Sequence, residues 1–255
     1  MKNETRFPAI SDLAERAQRR VPKFVWEYLD SGTGNEKTRF RNRAALDKIG
    51  LMPSILHGES TPDLSTFLLG AKLPLPFGIA PVGMSGLIWP DAEYHLASAA
   101  RHLCIPYTLS TVATVAPEDI ENFIGPNAWC QMYPPHDEKI RQDMLARAQA
   151  SGFKTLVLTV DVPVASRRER QIRSGLTNPP KLTPRLLAQV AMRPSWAIGI
   201  ARRGMPHMRM LDAYISKSTE NLPVNAHIGY LLRTSPDWEY VKSLRDAWPG
   251  HLVVK

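Results

Sequence analysis

The sequence predicts an α/β fold of the TIM type, a (β/α)8 barrel of which about five of the eight strands are present. Strand-like apolar segments alternate with helical segments, which is the pattern of a parallel sheet. Polar residues follow the C-terminal ends of four strands, where α/β enzymes carry their active sites. A doubly wound sheet would also have a site there, but no G-x-G-x-x-G motif follows the first strand. The barrel is therefore favoured.

Residues 1–75 are predicted to form a helical region in front of the barrel. A helix is expected over residues 9–30, with Ser11 in its cap and with Pro22, a residue suited to a helix start. A charged helix follows over residues 36–47, and the rest of the region is a loop rich in Pro and Ser.

Residues 76–170 are predicted to contain the first four barrel strands. These short segments are rich in aliphatic and β-branched residues, and they begin near Leu75, Tyr107, Ala128 and Thr155. Helices are expected between them, from Ala92 to Leu103, from Pro117 onward, and from Asp137 to Ala150.

The fourth strand ends in polar residues. Thr159 and Asp161 are two residues apart, so on a strand their side chains point the same way. Pro163 has no N–H for the ladder and should end the strand, with Arg167 and Arg168 in the loop beyond it. The ends of the other three strands carry Pro81, Val82 and Gly83, then Ser110, then Gln131 with Tyr133. All of these residues are expected at one edge of the sheet.

Residues 171–233 interrupt the alternation as a long basic insertion. Eight Lys and Arg residues and no Asp or Glu occur from Arg170 to Leu211, a local excess equal to the net charge of +8. No stacking or groove-reading module accompanies this charge, so nucleic-acid binding is disfavoured. Such a long loop is usually functional.

Residues 234–255 are predicted to form a helix from Ser235 to Trp248, with Pro236 at its first position, and a fifth strand from His251 to Lys255. Since a barrel needs eight strands, residues 1–255 are expected to be a single, incomplete domain. The two cysteines have no metal-ligand spacing, and no metal site is expected. No signal peptide and no apolar run of about 18 residues are evident, which favours a cytoplasmic protein.

Six short motifs occur in order along the chain. They are VPKFVWEYLDSG at 21–32, IAPVGM at 79–84, TLS at 108–110, QMY at 131–133, LTVDVP at 158–163 with Arg167 and Arg168, and LVVK at 252–255. Their order and spacing resemble the FMN-dependent 2-hydroxy acid dehydrogenase/oxidase family, which includes glycolate oxidase, mandelate dehydrogenase and L-lactate dehydrogenases. The bacterial membrane-associated L-lactate dehydrogenases are the members that the chain resembles most.

The resemblance implies an FMN cofactor with three sets of contacts. The Pro81–Val82–Gly83 backbone would lie beside the reactive edge of the flavin. The side chains of Ser110, Gln131 and Thr159 would hydrogen-bond the ring, and Lys255 would stabilise the reduced ring by its charge.

The resemblance also implies that an L-2-hydroxy acid is the substrate, with L-lactate and pyruvate as the substrate and product expected. Tyr28 and Arg168 would hold the carboxylate, and Tyr133 would hydrogen-bond the substrate oxygen. Asp161 would orient a histidine that removes the hydroxyl proton while hydride leaves C2. Electrons would pass to a quinone, a cytochrome or oxygen, and the complete domain would be a homo-oligomer.

In this family the histidine lies in a Ser-Asn-His-Gly motif, which the sequence lacks. Of the seven histidines, only His136 is near the expected site, and a solvated loop position is its simpler interpretation. The chain is therefore expected to be a partial sequence of the enzyme, or else an inactive fragment that does not hold FMN stably, unless another chain supplies the missing strands.

The resemblance further implies that residues 171–210 contact a membrane peripherally, at the inner face of the plasma membrane. The insertion mixes arginines with apolar residues, as an interfacial element does. The apolar residues are Leu186, Leu187, Trp196, Ile198 and Ile200. A solvated loop is the alternative.

Overall fold

Strands and helices alternate in the computed structural model, which describes residues 6–162, 168–176, 183–215 and 234–255. The strands are β1 (Thr66–Leu68), β2 (Ala71–Leu73), β3 (Tyr107–Leu109), β4 (Ala128–Met132), β5 (Thr155–Leu158) and β6 (His251–Val254). The helices are α1 (Ile10–Arg20), α2 (Lys23–Asp30), α3 (Lys37–Asp47), α4 (Ser85–Ile88), α5 (Ala92–His102), α6 (Pro117–Ile120), α7 (Glu138–Ala150), α8 (Glu169–Ser174), α9 (Pro184–Ala191), α10 (Pro194–Arg203), α11 (Asp212–Ile215) and α12 (Trp238–Ala247), with a 3-10 turn at Arg209–Leu211.

Strands β3, β4, β5 and β6 lie side by side in that order and run parallel. Every residue of β3 and β5 is buried, as expected for strands covered on both faces. Apolar residues of α5, α7 and α12, such as Ala97, Met144 and Leu244, complete this core. The described residues therefore form part of a TIM-type barrel, and the predicted fold class is confirmed.

The strand predicted near Leu75 is reduced to a single parallel bridge between Ile79 and Tyr107. The Ile79 N–H donates to the Pro106 carbonyl at 2.8 Å, and the Thr108 N–H donates to the Ile79 carbonyl at 3.0 Å. The ladder does not extend further because the flanking segment is interrupted by prolines, which have no N–H to donate. Gly78 allows the close approach, since a Cβ there would lie 2.8 Å from the Pro106 carbonyl oxygen.

An antiparallel hairpin, β1 and β2, occupies part of the region that was predicted to be a loop. Its two-residue turn is formed by Leu69 and Gly70, both with positive φ, as a tight hairpin turn requires. Leucine is an unusual residue in that conformation. The sequence therefore lacks the Asn-Gly or Asp-Gly signal that would have predicted the hairpin.

The helix predicted over residues 9–30 is two helices, α1 and α2. Val21 is extended, with φ −104° and ψ 152°, because the ring of Pro22 disfavours helical geometry in the residue before it. Pro22 is consequently the N-cap of α2 and not its first helical residue.

Two predicted helix caps are also wrong. Asp12 accepts a hydrogen bond from the Ala9 N–H at 2.9 Å, so Ser11 lies inside the first turn of α1 and does not cap it. The last helix begins three residues later than predicted, because Asp237 is its N-cap. Pro236 precedes that cap.

Much of the basic insertion is helical and packs on the N-terminal region. Leu186, Trp196 and Ile200 are buried in a second core with residues of α2 such as Phe24. These three side chains are therefore unavailable to a membrane, which corrects the interfacial role predicted for them. Residues 216–233, the last part of the insertion, lie outside the described residues. Among the described helices, none is long and apolar enough to span a membrane.

Candidate active site

The candidate site lies at the C-terminal ends of β3 to β6. Backbone hydrogen bonds continue the ladder past these strands and hold the predicted residues at the sheet edge. The Thr159 N–H donates to the Met132 carbonyl at 3.0 Å, and the Lys255 N–H donates to the Leu158 carbonyl at 2.8 Å. The Lys255 carbonyl accepts from the Val160 N–H at 2.9 Å. The side chain of Lys255 is exposed at this edge.

Ser110, Gln131 and Thr159 form a continuous buried row across three neighbouring strand ends. The Ser110 hydroxyl donates to Gln131 Oε1 at 3.3 Å, and Gln131 Nε2 donates to Thr159 Oγ1 at 3.0 Å. All three residues are buried. The amide of Gln131 is therefore fixed in orientation by partners on both sides, and the row presents polar groups of defined direction.

Thr111 completes this network and was not predicted. Its N–H donates to Gln131 Oε1 at 3.2 Å, and its hydroxyl donates to the Gln131 carbonyl at 2.7 Å. The same hydroxyl accepts from the Tyr133 N–H at 3.1 Å. Thr111 thus connects the buried row to the segment that carries Tyr133. A threonine next to Ser110 carries no separate sequence signal, because threonine is common in strands.

Replacing Gln131 with Leu should lower the free energy of unfolding by about 2–4 kcal/mol, because the Thr111 N–H and Thr159 hydroxyl would lose a partner inside the protein. Urea denaturation measures the change. Gln142, an exposed residue on α7, supplies the matched control, and Gln142→Leu should change stability by less than about 0.5 kcal/mol. Equal stabilities of the two variants would contradict the role given to Gln131.

The turn after Ile79 brings Gly83 against Val112 and Tyr28. The Tyr28 hydroxyl donates to the Gly83 carbonyl at 2.9 Å, and the Met84 N–H donates to the Val112 carbonyl at 2.8 Å. A Cβ on Gly83 would lie 2.6 Å from Val112 Cγ2. The turn can therefore approach the next strand end this closely only with glycine at position 83.

Tyr28 lies beside this turn, and Arg168 and Tyr133 are near enough to influence its hydroxyl. Burial raises the pKa of Tyr28 above the ordinary value of tyrosine. Tyr133 raises this pKa further, while the positive charge of Arg168 opposes the rise, so both residues act on the Tyr28 hydroxyl. Tyr28 therefore stays protonated at neutral pH and can donate a hydrogen bond. Arg168 is half-buried and is the N-cap residue of α8.

Glu93 is a second residue that the sequence did not single out. It is 1% exposed, and its Oε1 accepts from the Gly86 N–H at 3.2 Å, the Thr114 N–H at 2.9 Å and the Thr114 hydroxyl at 2.8 Å. It joins the turn that carries Gly83 to the loop after β3. Acidic residues are common in the first turn of a helix, so the sequence position of Glu93 did not indicate a structural role.

The remaining predicted residues lie at the rim or outside the described residues. Asp161 is exposed two residues beyond Thr159, and Val82 is 38% exposed. Pro81 is half-buried, and His136 is exposed. Pro163 and Arg167 lie outside the described residues. Among the described residues, no group of three His, Cys, Asp or Glu side chains could hold a metal ion.

Comparisons with known proteins identify similar chains. Residues 17–255 match the family model described as FMN-dependent dehydrogenase. The chain is 35% identical to an L-lactate dehydrogenase of Xanthobacter autotrophicus over 246 residues, covering 96% of this chain and 63% of that protein. It is 37% identical to an L-lactate dehydrogenase of Pectobacterium atrosepticum over 251 residues, covering 97% and 64%.

Solved structures are similar as well. The crystal structure of (S)-mandelate dehydrogenase, described as a monotopic membrane protein, superposes with a TM-score of 0.88 at 31% identity. That match covers 96% of this chain and 65% of that one. A mandelate oxidase structure superposes with a TM-score of 0.74 at 26% identity, covering 97% and 62%. The chain thus spans somewhat less than two thirds of the length of these relatives.

Proposed function

Because the chain belongs to the FMN-dependent dehydrogenase family, we propose that its protein oxidises an L-2-hydroxy acid to the 2-oxo acid. One observation carries the proposal: the Tyr28 hydroxyl lies against Gly83, and Arg168 and Tyr133 are near enough to act on that hydroxyl, at the sheet edge that holds the buried polar row. A carboxylate and a hydroxyl on adjacent carbons need a cation with hydrogen-bond donors for the first group and a polar partner for the second. Arg168 and Tyr28 meet the first need, and Tyr133 meets the second.

The residues at the strand ends fit an FMN ring. The row of Ser110, Gln131 and Thr159 offers donors and acceptors in fixed directions, which suits the polar edge of the ring. Gly83, which follows Pro81 and Val82, lacks the side chain that would hold the turn away from its neighbours. When bound, FMN supplies a two-electron acceptor for the hydride of substrate C2.

The chain's own residues bind and orient the substrate. Arg168 neutralises the substrate carboxylate. The Tyr28 hydroxyl, which donates to the Gly83 carbonyl in the absence of substrate, would turn its single proton to the same carboxylate when substrate binds. Asp161 would orient the histidine that accepts the hydroxyl proton, as the aspartate of a catalytic triad does. In this family that histidine belongs to the Ser-Asn-His-Gly motif. Lys255, whose side chain is exposed at the sheet edge, would contribute positive charge near the ring.

L-lactate is the substrate that we propose, with a quinone or a cytochrome as electron acceptor and a homo-oligomer as the working assembly. The names of the similar L-lactate dehydrogenases support the choice of substrate. We also propose peripheral contact with the inner face of the plasma membrane through residues 171–210. Leu187 and Ile198 are 54% and 52% exposed in that segment, which supports such contact.

Anaerobic titration tests the proposed reaction. The protein, expressed in full from its gene and loaded with FMN, should lose its oxidised flavin absorbance when L-lactate is added and keep it when D-lactate is added. Pyruvate should form in equal amount to the flavin reduced. Flavin that stays oxidised with both L-lactate and (S)-mandelate, in protein that holds FMN, would refute the proposal.

A further inference from the structure

Helix α8 is tied to α2 by one arginine that ion-pairs with three carboxylates. Arg170 Nε lies 2.6 Å from Glu27 Oε2, Nη2 lies 2.9 Å from Asp30 Oδ2, and Nη1 lies 3.1 Å from Glu36 Oε1. All three nitrogens of the guanidinium are therefore in use. Lysine could not replace this arrangement, because its ammonium is a single point charge.

The cluster around Arg170 stays ionised. The Gly32 N–H donates to Glu36 Oε1 at 2.6 Å, and this bond, with the charges of Arg170 and Arg39, holds the pKa of Glu36 below its ordinary value. Burial alone would lower the pKa of Arg170, but its hydrogen bonds to Asp30, Glu27 and Glu36 raise it. At neutral pH the contact between Arg170 and Glu36 is therefore between full charges.

The cluster lies immediately beside the proposed carboxylate-binding pair. Glu27 precedes Tyr28 in the sequence, and Arg170 is two residues after Arg168. Gln171 adds a neutral contact, since its Nε2 donates to the Tyr28 carbonyl at 3.3 Å. Both helices are thus clamped within two residues of the groups that would hold the substrate.

We propose that Arg170 is a positioning residue that sets the gap between Arg168 and the Tyr28 hydroxyl. The inference rests on the proposed function, because it assigns the substrate carboxylate to that gap. Without Arg170, Glu27, Asp30 and Glu36 would face one another with Arg39 as the one cation of the cluster described here. All three carboxylates lie within residues 27–36, so loss of their ion pairs with Arg170 would release α8, and Arg168 with it, from α2.

Arg170→Gln tests the proposal in FMN-loaded protein expressed in full. KM for L-lactate should rise about tenfold, the effect of weakening one charge-assisted hydrogen bond. kcat should change less than about threefold, because Arg170 does not touch the reacting atoms. Arg173→Gln is the matched control, since Arg173 is exposed on the same helix, and it should leave KM unchanged.

Hydrogen exchange of residues 168–176 supplies a readout that needs no turnover. These amides should exchange faster in Arg170→Gln than in Arg173→Gln, in protein with or without FMN. Should Arg170→Gln fail to fold, Asp30→Asn removes one of the three ion pairs of Arg170, together with the Asp30–Arg39 pair. It should give the same two effects at smaller size. Arg170→Lys should recover only part of the wild-type KM.

Two results would overturn the proposal. One is that the amides of residues 168–176 exchange no faster in Arg170→Gln than in Arg173→Gln, whatever the activity of the two proteins. The other is a fall in kcat at constant KM, which would mark a role in the chemical step. Failure of the proposed function looks different: wild-type protein would leave the flavin oxidised with every 2-hydroxy acid, while the exchange difference between Arg170→Gln and Arg173→Gln would persist.

Discussion

Arg168→Gln should raise KM for the L-2-hydroxy acid about a hundredfold, because the substrate carboxylate would lose its cation in a partly desolvated site. Arg168 is half-buried and acts on the Tyr28 hydroxyl. The glutamine keeps a hydrogen-bond donor but neither the charge nor the fork of the guanidinium. Steady-state kinetics with L-lactate, together with the dissociation constant of a non-reacting carboxylate, measure the loss.

Arg168→Lys is the graded comparison for this prediction. It retains the charge without the paired donors, so its KM should fall between those of the wild type and Arg168→Gln. Binding of FMN should be the same in all three proteins, because the flavin contacts are assigned to other residues. A wild-type KM in Arg168→Gln would remove Arg168 from the carboxylate site.

Gly250→Ala should lower the free energy of unfolding by at least about 3 kcal/mol, because the added Cβ has no room. It would lie 1.9 Å from the Lys154 carbonyl oxygen and 2.9 Å from the carbonyl carbon. Both atoms are backbone, and the same carbonyl accepts the His251 N–H at 3.0 Å, the first hydrogen bond between β5 and β6. To remove this clash, β5 and β6 would have to separate at this end.

Urea denaturation with a fixed m-value measures the effect of Gly250→Ala. Gly50→Ala is the control, because a Cβ at Gly50 meets no atom within 4 Å and the φ of Gly50 is not in the left-handed region. That control should change stability by less than about 0.5 kcal/mol. If Gly250→Ala matched Gly50→Ala, the close approach of the two strands would be wrong.

The sheet and its polar edge could be predicted because buried parallel strands are continuous apolar runs that end abruptly. Residues 155–159 show this pattern. Because neighbouring parallel strands end at the same edge, the polar residues Ser110, Gln131 and Thr159 are expected side by side, as observed. The roles given to those residues stay predictions. The family was also recognisable from short motifs, and the comparisons confirm it.

Other features depend on contacts that leave no local pattern. Glu93 looks like a helix-start acid, and only the fold shows that it is buried between two loops. The apolar residues of the insertion are predicted to contact a membrane because of the family resemblance and because they are mixed with arginines. Trp196 instead packs edge-on against Phe24, with ring centroids 5.8 Å apart. A tertiary partner so distant in sequence cannot be inferred from composition.

The second core has a consequence for the order in which the protein folds. The Phe24 N–H donates to Gln189 Oε1 at 2.9 Å across 165 positions of sequence. At about 5–20 residues per second on the ribosome, α2 would wait roughly ten to thirty seconds for its partner helices to be made. Tyr28 is part of α2. The proposed carboxylate-binding residues would therefore reach their final positions late, after the first strands of the sheet have left the ribosome. Closure of a loop of that length is slow, so the second core should form after the local contacts of the sheet.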